Sequence, residues 1–125
     1  MKKIIRTDKA PAAVGPYSQG IAIKDLIFFS GQIPLDPKTG KLVNGDVTVQ
    51  TAQVLQNIDA LLTSQKLTAA NVVKATVFLQ DLNDFASVNT EYSKYFGTLP
   101  PARSCVQVAR LPLDALVEIE VIAHR

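Results

Sequence analysis

The chain has 125 residues, of which 47% are hydrophobic, and a formal net charge of +2 from 13 basic and 11 acidic side chains. This length suggests one domain spanning residues 1–125, and the hydrophobic content excludes a disordered chain. The charges are scattered without a basic stripe, so we expect no nucleic-acid partner.

Targeting, membrane and metal signals are missing from the sequence. A single Cys and a single His rule out an internal disulfide and the common zinc sites, so we expect no metal. No apolar run approaches about 18 residues, and the N-terminal MKKIIRTDKAP has too short an apolar segment for a secretory signal. We therefore expect a soluble, cytoplasmic protein without a membrane partner.

The first half of the chain predicts three strands and one helix. Residues 4–6 form a short strand, a turn-rich APAAVGPYSQG follows, and YSQGIAI and LIFFSGQIP form two strands joined near residues 24–25. From Asp46 the apolar period becomes that of an amphipathic helix, with Asp46 or Thr48 as its cap. The apolar residues of this helix are Ala52, Leu55, Ile58 and Leu62.

The second half alternates strand and helix. NVVKATVFLQ at 71–80 is rich in β-branched residues and predicts a strand. DLNDFASVNTEYSKYF predicts a helix capped by Asn83 and ended by Pro100 and Pro101, and strands at 103–109 and 116–123 follow. The order β-β-β-α-β-α-β-β indicates an α+β fold of one sheet and two helices.

Both faces of the predicted sheet are apolar, because LIFF and NVVKATVFL place apolar side chains on each. An exposed apolar face of this size is unusual for a soluble monomer, which favours a closed homo-oligomer. The alternative is a monomer whose second face is wetted by Lys74, Thr76 and similar residues.

Polar side chains also alternate along the last two strands. The strand at 103–109 has an apolar face, Val106 and Val108, and a polar face, Arg103, Cys105 and Gln107. If it pairs with the last strand as an antiparallel hairpin with the valines inward, Arg103 shares a face with Glu118 and Glu120. That face is either solvated, with weak ion pairs, or covered by another subunit. In a covered cleft, Arg103 would bind a carboxylate or phosphate, and Glu118 would hold a water or move a proton.

Four further residues have a structural and a functional interpretation. Cys105 lacks a His partner and is more typical of inert packing than of a nucleophile. Phosphate-loop motifs are missing around Gly31, so this glycine is more typical of a close backbone approach or of a bulge within a strand. Tyr17 either packs in a turn or points its phenol into a cleft, and Asn89 is either a surface residue or faces an interface.

The segments APAAVGPYSQG, FSGQIPLDPKTG, VVKATVFLQDLNDFASVN, PPARSCVQVARLP and VEIEVIA resemble, in order, the signature segments of the RidA (YjgF) family. The resemblance implies a chorismate-mutase-like α+β fold: one mixed sheet of about six strands with two helices on one face. It implies a homotrimer whose sheets form a central barrel, with clefts between chains. The implied activity is 2-iminobutanoate/2-iminopropanoate deamination. This hydrolyses the 2-imino and 2-enamino acids made by pyridoxal-phosphate-dependent dehydratases to 2-oxo acids and ammonia, without a cofactor.

The resemblance also assigns roles to individual residues. It implies that Arg103 clamps the substrate carboxylate and that Glu118 is the acid/base that orients water. The cleft would be lined by Tyr17, Ser30, Gly31, Asn89 and Cys105. Two other functions are open: a regulatory module that binds 2-oxo acids or amino acids without turnover, and a ribonuclease or translation inhibitor. The single His124 at the chain end argues against RNA cleavage.

Overall fold

The computed structural model describes every residue from Met1 to Arg125 and contains one six-stranded sheet and two α-helices. The elements follow the predicted order, which confirms the α+β fold. In chain order they are β1 (Lys3–Ile5), β2 (Gly20–Ile23), β3 (Leu26–Phe29), α1 (Val47–Ser64), β4 (Val72–Leu79), α2 (Phe85–Phe96), β5 (Ala102–Gln107) and β6 (Val117–His124).

The helices begin where short polar side chains satisfy free backbone N–H groups. Asp46 caps α1, as predicted, because its Oδ1 accepts a hydrogen bond from the Val49 N–H at 3.0 Å. The predicted Asn83 cap of α2 is wrong. A 3₁₀ turn precedes α2, and Asp81 caps that turn by accepting from the Asn83 N–H at 2.9 Å. Asn83 lies inside this extra turn, so its own backbone N–H needs a hydrogen-bond acceptor, and its side chain does not cap α2.

Both helices cover the same face of the sheet. The apolar stripe of α1 includes Ile58 and Leu61, each at most 1% exposed. The sheet supplies equally buried side chains from the neighbouring inner strands β4 and β6, such as Val77 and Ile119. These residues belong to one continuous core cluster, which places the whole core between the helices and one sheet face.

The strand order in the sheet is β1-β2-β3-β6-β4-β5, and it is mixed. β6 pairs antiparallel with both β3 and β4, whereas β5 pairs parallel with β4. The predicted β5–β6 hairpin is therefore wrong, because β4 lies between the two strands. The reason is that β4, α2 and β5 form a strand–helix–strand unit, whose strands run parallel as neighbours.

The face of the sheet away from the helices, here called the open face, is partly apolar. Phe28 is 42% exposed and Val106 is 44% exposed. Val106 was expected in the core, but the parallel register turns it outward and turns Cys105 toward the core.

No helix of the chain is long and apolar enough to cross a lipid bilayer.

Candidate functional site

Arg103 and Glu118 point to opposite faces of the sheet. Arg103 lies opposite Ala75 in the parallel β4–β5 register, and Glu118 lies opposite Phe78 in the β4–β6 register. Directly paired residues share a face, and residues three apart on one strand do not. Arg103 is thus on the helix side with the buried Ala75, and Glu118 is on the open face. The expectation that one chain presents both groups on one face is wrong.

The guanidinium of Arg103 is held by one face of α2. Its Nη1 donates a hydrogen bond to Asn89 Oδ1 at 2.7 Å. Its Cζ lies 4.7 Å from the ring centroid of Tyr92 and 5.4 Å from that of Phe85. The Nε and Nη2 groups donate to nothing in the chain, so the two-point edge of the guanidinium is free for a planar anion. We call Arg103, Asn89, Phe85 and Tyr92 the arginine clamp.

Cys105 follows on the same strand face and is half-buried against the core. Burial raises the pKa of its thiol, while the charge of Arg103 acts in the opposite direction. The net rise keeps the thiol neutral, so Cys105 has no thiolate for nucleophilic chemistry. Its side chain is a packing element next to Arg103, in agreement with the interpretation as inert packing.

Glu118 lines a cleft of about 520 Å³ on the other side of the sheet, here called the carboxylate cleft. Tyr17, Ser30, Gly31 and Glu120 line the same cleft. The pKa of Glu118 is raised, mainly because burial disfavours the charged carboxylate and also because Glu120 adds negative charge nearby. Glu118 has no ion-pair or hydrogen-bond partner within the chain, which leaves both carboxylate oxygens available.

Gly31 allows the Glu118 carboxylate to lie directly against the backbone. A Cβ built on Gly31 would overlap Glu118 Oε2 and would come within 3.0 Å of Glu118 Cδ. No other residue type leaves that space open. The predicted close approach at Gly31 is therefore confirmed, and the neighbour that requires it is the candidate acid/base.

The two remaining lining residues hold the loops of the cleft. Ser30 Oγ donates to the carbonyl of Ser18 at 2.6 Å. The Tyr17 hydroxyl accepts from the Val14 N–H at 3.3 Å, and 53% of the residue is exposed. Tyr17 thus closes a turn through its hydroxyl, and the residue also lines the cleft.

Two buried amides, missed in the sequence, fix the walls of the carboxylate cleft. Gln19 donates to the Pro11 carbonyl at 2.8 Å and accepts from the Thr7 N–H at 2.7 Å. Asn57 lies on α1, and its side chain donates a hydrogen bond of 2.9 Å to the Leu35 carbonyl. Asn57 is 1% exposed, so an amide among the apolar positions of the α1 stripe was the available signal. Gln19 lies in a turn-rich segment without such a pattern.

Neither cluster is a metal centre, since no three His, Cys, Asp or Glu side chains lie close enough together to hold an ion. Each chain instead carries two separate chemical functions. The arginine clamp can bind a carboxylate, and the carboxylate cleft can take up and return a proton. A small molecule can use both only where the clamp of one chain meets the cleft of another.

Comparisons with known proteins place this architecture in a family. Residues 7–125 match the model of a family described as Endoribonuclease L-PSP. A RutC family protein of Pyrococcus horikoshii is 51% identical over 125 residues, covering 100% of this chain and 99% of the relative. The 2-iminobutanoate/2-iminopropanoate deaminase of Salmonella typhimurium is 50% identical over 128 residues, covering 100% and 99%. The crystal structure of Escherichia coli TdcF with bound serine matches with a TM-score of 0.94 at 47% identity, over 98% of each chain. The chain therefore belongs to the YjgF/RidA family, which this family model describes.

Proposed function

We propose that this protein is a 2-iminobutanoate/2-iminopropanoate deaminase that converts short 2-imino acids and their enamine tautomers to 2-oxo acids and ammonia. The observation that carries the proposal is the arginine clamp, which leaves the two-point edge of Arg103 free for a carboxylate. The Salmonella typhimurium relative that bears this name supports the choice of substrate.

The site forms between two copies of the chain. Arg103 and Glu118 lie on opposite sides of one sheet and each lacks an oppositely charged partner within the chain. Joining the clamp of one copy to the cleft of another brings the two charges together around a substrate. The exposed apolar side chains of the open face, such as Phe28 and Val106, favour the same association. We propose a closed homotrimer with the sheets forming a central barrel.

Arg103 binds and orients the substrate. Nε and Nη2 donate two parallel hydrogen bonds to the carboxylate, and hydrogen bonds to charged groups contribute about 1.5–3 kcal/mol each. This contact selects imino acids over neutral imines. It also places C2, the electrophilic carbon, at a fixed distance from the carboxylate cleft.

Glu118 manages the proton. In its ionised form it accepts a proton from a water molecule as the water oxygen bonds to C2 of the protonated imine, giving a carbinolamine. Glu118 then returns that proton to the nitrogen, the C–N bond breaks and ammonia leaves. The hydroxyl proton passes to the ionised Glu118, which gives the 2-oxo acid, and Glu118 releases that proton to the ammonia or to water. The raised pKa of Glu118 suits a group that has to take up and return a proton.

A subunit-mixing experiment tests the composite site. Arg103→Ala and Glu118→Ala are each expected to abolish turnover in a dehydratase-coupled semicarbazone assay while the chain stays folded. Co-expressing the two variants puts an intact Arg103 against an intact Glu118 at about a quarter of the interfaces of a randomly mixed closed ring. Activity should therefore return to about a quarter of the wild-type value. Mixed assemblies that form and stay inactive would contradict a site shared between chains.

The same assay distinguishes a binding module. The serine in the TdcF crystal structure favours this second candidate, since an amino acid is held there. Binding of 2-oxo acids without ammonia release from dehydratase-generated imines would establish it. We expect no RNA cleavage, because His124 lies about 20 Å along β6 from Glu118. Ribonuclease activity that survives stringent purification would contradict this.

A further inference from the structure

The arginine clamp contains two aromatic rings that have no part in the proposed reaction. Phe85, Asn89 and Tyr92 are spaced by four and three residues, which puts them on one face of α2 next to Arg103. Only Asn89 makes a hydrogen bond to the guanidinium. Both rings lie within the roughly 6 Å at which a cation is attracted to an aromatic face.

The orientation of the Arg103 side chain depends on the two rings, because the strand that carries Arg103 does little to fix it. β5 is an edge strand that pairs only with β4. The guanidinium sits at the end of a long flexible side chain and has no carboxylate partner within the chain to fix it. A single hydrogen bond to Asn89 restricts one end of the guanidinium and leaves rotation about that contact open. Two aromatic rings whose centroids lie 4.7 Å and 5.4 Å from Cζ restrict that rotation.

We propose that Phe85 and Tyr92 are positioning residues that hold the Arg103 guanidinium flat, with its Nε–Nη2 edge turned toward the substrate carboxylate. The proposal rests on the proposed function for the identity of the ligand. A guanidinium fixed before binding loses less conformational entropy when the carboxylate arrives. The rings also exclude water from part of the cation, which strengthens its attraction to the incoming anion.

The surroundings of each ring agree with this role. Phe85 is 38% exposed, so it does not act as a core residue, and Arg103 is the cation over its ring. Tyr92 is 5% exposed, and Phe96 fixes its ring, with 4.5 Å between the two centroids. The Tyr92 hydroxyl has no hydrogen-bond partner in the chain, which leaves the ring face as the part that acts on Arg103.

The test compares one charged and one neutral ligand by titration calorimetry. The ligands are 2-oxobutanoate and 2-oxobutanamide, which differ in the group that Arg103 recognises. Phe85→Leu removes the more exposed ring without disturbing the core. We expect it to raise the Kd of 2-oxobutanoate about tenfold, equivalent to about 1.4 kcal/mol, and to leave the Kd of 2-oxobutanamide unchanged. In the imino-acid assay KM should rise by the same factor, with kcat within about twofold of wild type.

Two matched variants separate positioning from general packing. Phe85→Tyr keeps the ring and should restore the preference for the charged ligand. Tyr95→Leu removes a ring from the same helix that pairs with neither Arg103 nor Tyr92, so it should lower thermal stability and leave the preference intact. In an Arg103→Lys background, Phe85→Leu should lose most of its effect, because the flat guanidinium is gone.

The proposal is overturned if Phe85→Leu leaves the ratio of the two Kd values unchanged, or if Tyr95→Leu changes that ratio as much as Phe85→Leu does. Its failure can be told from failure of the proposed function. A protein that binds 2-oxobutanoate through the clamp but releases no ammonia from imines would lose the function and keep the positioning role. A working deaminase whose ligand preference does not change in Phe85→Leu would keep the proposed function and lose the positioning role.

Discussion

Substituting Gly31 by Ala tests the carboxylate cleft with the smallest possible change. The backbone of Gly31 is outside the left-handed region, so an alanine fits it without backbone strain. The added Cβ overlaps Glu118 Oε2 and lies 3.0 Å from Cδ and 3.3 Å from Cγ. The atom in the way is the end of a flexible side chain, so the carboxylate moves and the fold does not.

The size of the effect follows from that displacement. Restoring ordinary contact distances moves the carboxylate by about 1 Å or more, and a misplacement of this size can cost about 100-fold in rate. We therefore expect kcat/KM to fall about 100-fold, which is about 2.7 kcal/mol of transition-state stabilisation, with the free energy of unfolding changed by less than about 1 kcal/mol. The assay is the dehydratase-coupled release of 2-oxo acid, with chemical denaturation measured in parallel.

Two controls make the Gly31→Ala result decisive. Gly40 has open space around it but a φ of +72°, so Gly40→Ala should cost about 1 kcal/mol of stability and leave turnover unchanged. In a Glu118→Ala background, which has no turnover, Gly31→Ala should leave the Kd of 2-oxobutanoate unchanged, because the displaced group is already gone. A Gly31→Ala enzyme with wild-type turnover would refute the assignment of Glu118 as the proton carrier.

Four other substitutions probe the electrostatics and supports of the cleft and the start of α1. Glu120→Gln removes a like charge beside Glu118 and lowers the pKa of Glu118, so the acidic limb of the pH–rate profile should move to lower pH. The raised pKa of Glu118 also means that its ionisation opposes folding, a cost absent below its unfolded pKa and complete above its folded pKa. The stability of Glu118→Gln relative to wild type should accordingly rise with pH across that range in denaturation experiments. Asn57→Ala leaves buried loop carbonyls unpaired and should cost about 1–3 kcal/mol and weaken ligand binding in calorimetry. Asp46→Ala removes the α1 cap and should cost about 1 kcal/mol in denaturation, with no change in turnover.

Local patterns predicted the elements well because each depends on neighbouring residues. The stripe of α1 and its Asp46 cap are written within one segment, and the structure confirms both. The β-branched run at 71–80 became β4, an inner strand that pairs with β6 on one side and β5 on the other. The apolar residues on both sheet faces are likewise observed, with Phe28 exposed on the open face.

The pairing of strands depends on distant residues, and there the prediction failed. The short connection between β5 and β6 favoured a hairpin, but the parallel β4–β5 pair occupies one side of β4 and leaves β6 the other. That error reversed the face assigned to Arg103. The strand–helix–strand order of β4, α2 and β5 contained the correct signal. The contacts of Arg103 with the two rings could not be predicted, because the sequence shows Phe85 and Tyr92 only as members of an apolar stripe.

In the site that we propose between two chains, the placement of Arg103 and Glu118 on opposite sides of one sheet makes turnover depend on protein concentration. An isolated chain holds a cation behind the sheet and a base in front of it, and no small molecule can reach through the layer to touch both. Specific activity should then climb with protein concentration and level off once association is complete, so that dilution alone acts as an inhibitor.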